Sequence, residues 1–186
     1  ILQLPTYLEH VKVGRRDLPV VLLPILNELR AARGESLMSE TALFAPNIDV
    51  PAALTDADLN QFNDPGFAPW LTRLRQMQQT ALLHILRSEQ ESLAIEYLQK
   101  VFSRLYKTLG KTPQGLVWLP ALAFSEYLNS QQQIPKSAKP LLKQLDNQLK
   151  LLQDNGIGIL NKPVPDDLLK NLLYYIAKSP LENGAI

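Results

Sequence analysis

With 186 residues, 46% apolar and 20% charged, the chain is long enough to bury a sizeable core and too apolar to be disordered. Its formal charge of +1 gives no general pull toward nucleic acid or an acidic membrane. The absence of cysteine excludes disulfides, thiol catalysis and zinc–thiolate sites, and no apolar run approaches the roughly 20 residues that span a bilayer. No signal-peptide pattern is present; the start at Ile1 rather than Met and the end at Ile186 are those expected of a piece of a longer protein.

Leu4, Leu8 and Val11 recur at helical spacing before Gly14. Asp17 then suits the N-cap of a second helix, with Pro19 in its first turn. In that helix Leu22, Ile25, Leu26 and Leu29 form one apolar stripe, which leaves Asn27 and Glu28 facing solvent. Pro24 either kinks the helix or marks its true start. Gly34 tolerates the left-handed backbone that ends a helix after Arg33.

From Phe44 to Pro69 the periodicity weakens under Pro46, Pro51, Pro65, Gly66 and Pro69. The expected structure is an ordered loop packed down by Phe44, Ile48, Leu54 and Phe67; a flexible linker is the rival. Thr55 and Asp58 form a variant capping box for a short helix through Leu59 and Phe62. Trp70 to Leu109 carries the longest helical pattern, with Leu71, Leu74, Met77, Ala81 and Ile85 on one face and Leu93, Tyr97, Val101 and Leu105 on a second segment. The polar stretch from Arg87 to Ser92 marks a break between them, or a change of exposure along one continuous helix. After Gly110, Thr112 caps the next helix with Pro113 at its first position. Leu142, Leu145, Leu149 and Leu152 follow between Ser137 and Gly156. Asp166 caps a last helix that buries Leu169, Leu172, Leu173 and Ile176 before Pro180.

The fold expected is all-α: a bundle-like helical domain of six or seven main helices with one long irregular loop. Residues 1–186 read as a single domain, with an N-terminal arm over 1–69 and a bundle over 70–180 as possible sub-units.

The run from Tyr7-Leu-Glu through Gly14, Leu18-Pro and Leu23-Pro-Ile-Leu-Asn-Glu-Leu-Arg-Ala-Ala-Arg-Gly34 to Leu37-Met-Ser-Glu40 resembles one family. So do the Trp118-containing helix and Leu172-Leu-Tyr-Tyr-Ile-Ala-Lys178. It is similar to the helical region near the N-terminus of the ChpA-type chemosensory hybrid histidine kinases, a region shared by the FimL scaffold family of the type IV pilus system. That resemblance covers about Tyr7 to Lys178. It implies a non-catalytic interaction domain with no cofactor or metal. Its partners would be pathway proteins: a response regulator, kinase domains or a polar scaffold. It further implies a cytoplasmic setting with recruitment to the cell pole or inner membrane through those partners. Nucleic acid and direct membrane insertion are not implied, and the oligomeric state is left open.

Within such kinases small bundles transfer phosphoryl groups through a histidine in a pattern like His-x-x-Lys-Gly. The nearest match here is His84-Ile-Leu-Arg87-Ser88. The alternative function is therefore phosphotransfer, with His84 as acceptor and Arg87 as the orienting cation, against a packed structural histidine. His10 has no partner motif. Asp56 with Asp58, and Asp166 with Asp167, sit where a helix dipole favours negative charge and need no catalytic role. Gly156-Ile-Gly158 lacks the third glycine of a nucleotide loop, and Ser125-Glu-Tyr127 lacks a nucleophile elbow. An unrelated enzyme would need residues distant in sequence to converge. Arg15-Arg16, Arg30 with Arg33, Arg73 with Arg75, and Lys136 with Lys139 are small clusters suited to surface solvation or local ion pairing. The protein-interaction candidates are Asn27, Glu28, Arg30 and Arg33, as an anchor for an acidic partner, and Tyr174 and Tyr175, of which one ring suits the core and the other a docking role.

Overall fold

Caps and apolar spacing, read in order, build seven α-helices among the described residues and no strand. The computed structural model describes residues 5, 8–9, 12–13, 22–38, 41, 46, 48–131 and 133–177. Leu4, Val11, the Asp17 cap with Pro19, Phe44, His10, the Arg15-Arg16 pair and Pro180 lie outside them. Two compact units divide the chain, Ile1–Asn47 and Ile48–Ile186.

The first unit contains α1, Leu23–Ala32. Pro24 lies in its first turn, so it marks the start rather than a kink. The end is a Schellman motif: the Gly34 amide donates to the Ala31 carbonyl at 3.1 Å and the Glu35 amide to the Arg30 carbonyl at 2.9 Å, with Gly34 at φ +70°. The expected apolar stripe is corrected at one position. Leu29 is 55% exposed, while Leu22 at the N-cap, Ile25 and Leu26 are half-buried and no α1 residue is fully buried. Asn27, expected to face solvent, is half-buried because its side chain is engaged by the chain that follows the helix.

In the second unit, the segment before the long helices is ordered by its own contacts. Thr55 and Asp58 close a reciprocal capping box at the start of the short α2, Asp56–Asn60. The Thr55 hydroxyl, and then its backbone amide, donate to the Asp58 carboxylate and hold its pKa below the ordinary aspartate value. The Leu54 amide donates to Asn161 Oδ1 at 2.7 Å, and Asn161 Nδ2 returns a bond to the Leu54 carbonyl at 2.9 Å. Ile48, Leu59, Phe62 and Phe67 pack on the core, with Phe67 stacked on Trp70 at 5.6 Å.

Five longer helices follow: α3 Phe67–Arg87, α4 Glu91–Leu109, α5 Trp118–Ser130, α6 Ala138–Asn155 and α7 Asp166–Ala177. They close as a ring. The α4 helix packs on α3 and α5, α3 packs on α6, and α7 fills the remaining gap between α5 and α6. Leu142, Leu145, Leu149 and Leu152 are all buried, as their spacing predicts. Phe102 of α4 stacks on Trp118 of α5 at 6.1 Å, and both are fully buried.

On the other helices Leu71, Leu74, Ala81, Ile85, Val101 and Leu105 are buried as expected, and single positions depart from the predicted faces. On α3, Gln78 is buried where Met77 is only half-buried, and neither amide atom of Gln78 has a hydrogen-bond partner. On α4, Leu93 is partly exposed, and Ala94, Ile95 and Leu98 supply the core instead. On α7, Leu168 is buried with Leu169 and Leu172, whereas Leu173 and Ile176 are half-buried. Asp166 is the first residue of α7 itself, beside Asp167 in the first turn, rather than its cap.

Gly110 ends α4, and Thr112 caps the 3-10 turn Pro113–Val117, accepting from the Gly115 amide at 2.8 Å. A Cβ on Gly115 would overlap the Leu109 carbonyl oxygen and carbon, which are backbone atoms and cannot swing aside. Gly115→Ala is therefore expected to cost about 3 kcal/mol or more in urea denaturation. Gly158→Ala, where a Cβ meets nothing within 4 Å, is expected to stay within about 0.5 kcal/mol of the parent.

The opposite case lies at the α3–α4 turn. Ser88 at φ 56° and Gln90 at φ 46° hold the left-handed conformation without being glycine. Ser88→Gly is expected to stabilise the fold by roughly 0.5–1 kcal/mol, read as a raised thermal midpoint. An unchanged or lowered midpoint contradicts the strain assigned to this turn.

Candidate functional site

Three of the four candidates in and just after α1, Asn27, Arg30 and Arg33, are engaged by the segment from Glu35 to Met38. Arg30 Nη1 pairs with Glu35 Oε2 at 3.1 Å, and Arg33 Nε with Glu35 Oε1 at 3.0 Å. Arg30 Nε also donates to the Ser36 carbonyl at 2.7 Å. One carboxylate thus serves both guanidinium groups, and the cluster presents a net charge near +1 rather than +2. Asn27 receives the Met38 amide on Oδ1 at 2.7 Å and donates Nδ2 to the Met38 carbonyl at 3.0 Å. Its side-chain amide pairs with the Met38 peptide in the way one strand pairs with another. Glu28 stays exposed beside them.

His84 lies in the last turn of α3 and is half-buried. Its Nδ1 is shielded from solvent and has no hydrogen-bond partner. Its carbonyl accepts the Glu89 amide at 2.9 Å in closing the helix. Arg87 is exposed and is the last residue of α3, while Ser88 has already left the helix. The cation and the small residue of the phosphotransfer-like pattern therefore occupy a helix end.

Tyr175 stands against the core, 5.5 Å from the Phe124 ring and 5.7 Å from Tyr127. Tyr174 meets Tyr175 edge-on at 5.8 Å. Both tyrosines are half-buried. Of the basic pairs, Arg75 faces Asp146 at 3.5 Å, and its Nη1 donates to Gln153 Oε1 at 3.0 Å.

A groove that the spacing arguments missed runs between α3 and α6. It holds about 760 Å³ and is lined by Leu82, Ile85, Leu86, Lys136, Lys139, Pro140, Leu142, Lys143 and Asp146. The sequence does carry a signal for it: Lys139 and Lys143 lie four residues apart on one side of α6, with Lys136 in the turn just before it. Leu82, Ile85 and Leu86 likewise share one side of α3 across from them. Ile85 and Leu142 form the floor, and Leu86 on the wall is 62% exposed.

Asn27 is the one α1 candidate whose removal leaves two backbone groups without partners. Asn27→Ala is expected to abolish hydrogen-exchange protection at the Met38 amide while α1 stays helical, at a cost of about 1–3 kcal/mol to local stability. Retained Met38 protection would show that the side-chain pairing does not hold this segment.

Among the described residues no helix is long and apolar enough to cross a membrane, and no group of three or more His, Asp or Glu is placed to hold a metal ion. Residues 63–186 match the family described as the FimL scaffold protein second domain. Scaffold protein FimL of Pseudomonas aeruginosa, strain PAO1, is 30% identical over 174 residues, which is 93% of this chain and 30% of that protein. The chain thus spans under a third of that relative's length. No solved structure matches it. The part of the chain that the family covers holds all five helices of the ring, and the chain belongs to the FimL scaffold protein second-domain family.

Proposed function

We propose that this chain is a non-catalytic helical interaction domain of a type IV pilus chemosensory scaffold. In this reading residues 1–186 work as one domain within a longer protein. It would gather a response regulator, kinase domains or a polar scaffold protein in the cytoplasm, at the cell pole or inner membrane. The observation that carries the reading is the family match across the helical ring, with a scaffold protein as the relative. The likeness to ChpA-type kinases along Leu23 to Gly34 and Leu172 to Lys178 supports setting it in twitching control. The surroundings of His84 support the same side of the choice. A phosphoacceptor needs a freely accessible imidazole and a small residue that lets a receiver approach along the helix; here the ring is half-buried with Nδ1 shielded, and Ser88 has already left the helix.

Two measurements test this. Purified chain titrated with the purified receiver, kinase core and polar scaffold protein should give saturable binding to at least one of them; binding to none of the three overturns the scaffold reading. Incubation with the phosphorylated receiver or the active kinase core should leave the chain unlabelled, and His84→Gln should behave identically. Label on the parent that disappears in His84→Gln would replace this reading with phosphotransfer through His84.

A further inference from the structure

The groove between α3 and α6 has the lining of a helix-binding site with a charge preference. Its sides are two rows of helical side chains, Leu82 and Leu86 of α3 facing Lys139 and Lys143 of α6 over a floor of Ile85 and Leu142, spaced as ridges that receive those of a third helix. From Lys139 to Asp146 the lining extends about 10 Å, two turns of helix. Leu86 at 62% and its neighbour Leu83 at 53% leave apolar surface uncovered beside the groove.

The charges along it are not balanced. Asp146, the carboxylate in the lining, already faces Arg75 at 3.5 Å. Lys136, Lys139 and Lys143 pair with no carboxylate among the described residues. The chain as a whole carries only +1, so this concentration of positive charge is local rather than a general property of the surface. Ammonium groups on flexible stems supply long-range attraction without a fixed hydrogen-bonding geometry. That suits a row of carboxylates along a partner helix better than one small polar ligand.

We propose that this groove docks an acidic amphipathic helix of a partner protein. Its leucine-type side chains, at i, i+3, i+4 and i+7, would enter between Leu82, Leu86 and Leu142, and its glutamate or aspartate flank would lie along Lys136, Lys139 and Lys143. The inference rests on the scaffold reading only in taking the occupant to be a protein.

The probe is a fluorescein-labelled helical peptide of glutamate, alanine and leucine with leucines at those positions. Two controls accompany it: the same peptide with lysine for every glutamate, and one of equal composition with the leucines scattered. Anisotropy titration should show saturable binding of the acidic striped peptide alone. Leu86→Asp should weaken it at least tenfold. The double variant Lys139→Glu with Lys143→Glu should weaken it about tenfold and admit the lysine peptide instead. All the substituted side chains are exposed or half-buried, and circular dichroism should confirm unchanged helicity.

Absence of saturable binding overturns the proposal, as does equal binding of either control peptide or indifference to both variants. Sedimentation that reveals self-association lost in Leu86→Asp would assign the groove to a second copy. Lysine-dependent binding to phosphatidylglycerol vesicles without peptide binding would assign it to a lipid surface. Either outcome displaces the acidic helix. If a pathway partner binds the parent and both variants equally, the groove falls while the scaffold reading stands. If the acidic peptide binds and no pathway protein does, the reverse holds.

Discussion

The larger unit depends on how closely two pieces of backbone meet where α4 ends. The Leu109 carbonyl and Gly115 lie so near that no side chain fits between them. That approach lets the 3-10 turn fold back under the end of α4 and sends α5 alongside it, with Phe102 on Trp118. The same turn reaches two further elements. The Gln114 amide donates to the Leu160 carbonyl at 3.1 Å, and Gln114 Nε2 donates to Gln148 Oε1 of α6 at 3.2 Å. A buried amide bond of this kind is expensive to leave unmade. The turn therefore sets the relation of α4 and α5 while holding α6 and the approach to α7.

How much of this was legible follows from what each signal encodes. Stop and start signals are local, and most sit where the side chains place them: Thr112 with Pro113, Thr55 with Asp58, and Gly34 after Arg33; of the two readings left open after Arg87 the break holds, and Asp166 lies inside its helix rather than capping it. Faces were less secure. On α3 the apolar stripe through Met77 overlooks Gln78, because a buried amide looks polar to any periodicity argument. On α5 nearly every side chain is apolar or small, and Pro120 is buried too, so no face stands out. The order of helices around the ring is a matter of long-range pairing, which spacing does not record.

Charged candidates show the same limit. Arg30 with Arg33, and Lys136 with Lys139, are equivalent in sequence: two cations three residues apart. Folding separates them. Glu35 comes round the end of α1 and shares itself between the arginines, whereas Lys136 and Lys139 line a groove whose one carboxylate among the described residues, Asp146, is already committed to Arg75. A cation cluster acquires meaning only once the acids already committed to it are known. In Arg30 and Arg33 the positive charge completes a helix end; along the groove it remains available to another molecule.

The clamp between Leu54 and Asn161 joins residues 107 positions apart by two hydrogen bonds. Closing so long a loop forfeits chain entropy that two bonds alone do not recover. The clamp can therefore form only after the helices between its ends have condensed. In kinetic terms it belongs to the late side of the folding barrier, where interactions slow unfolding more than they hasten folding. The irregular segment from Ile48 to Phe62 thus acts as a latch on a finished ring. Contacts of that kind raise the barrier to unfolding, so the latch adds to the lifetime of the folded ring beyond what its buried core supplies.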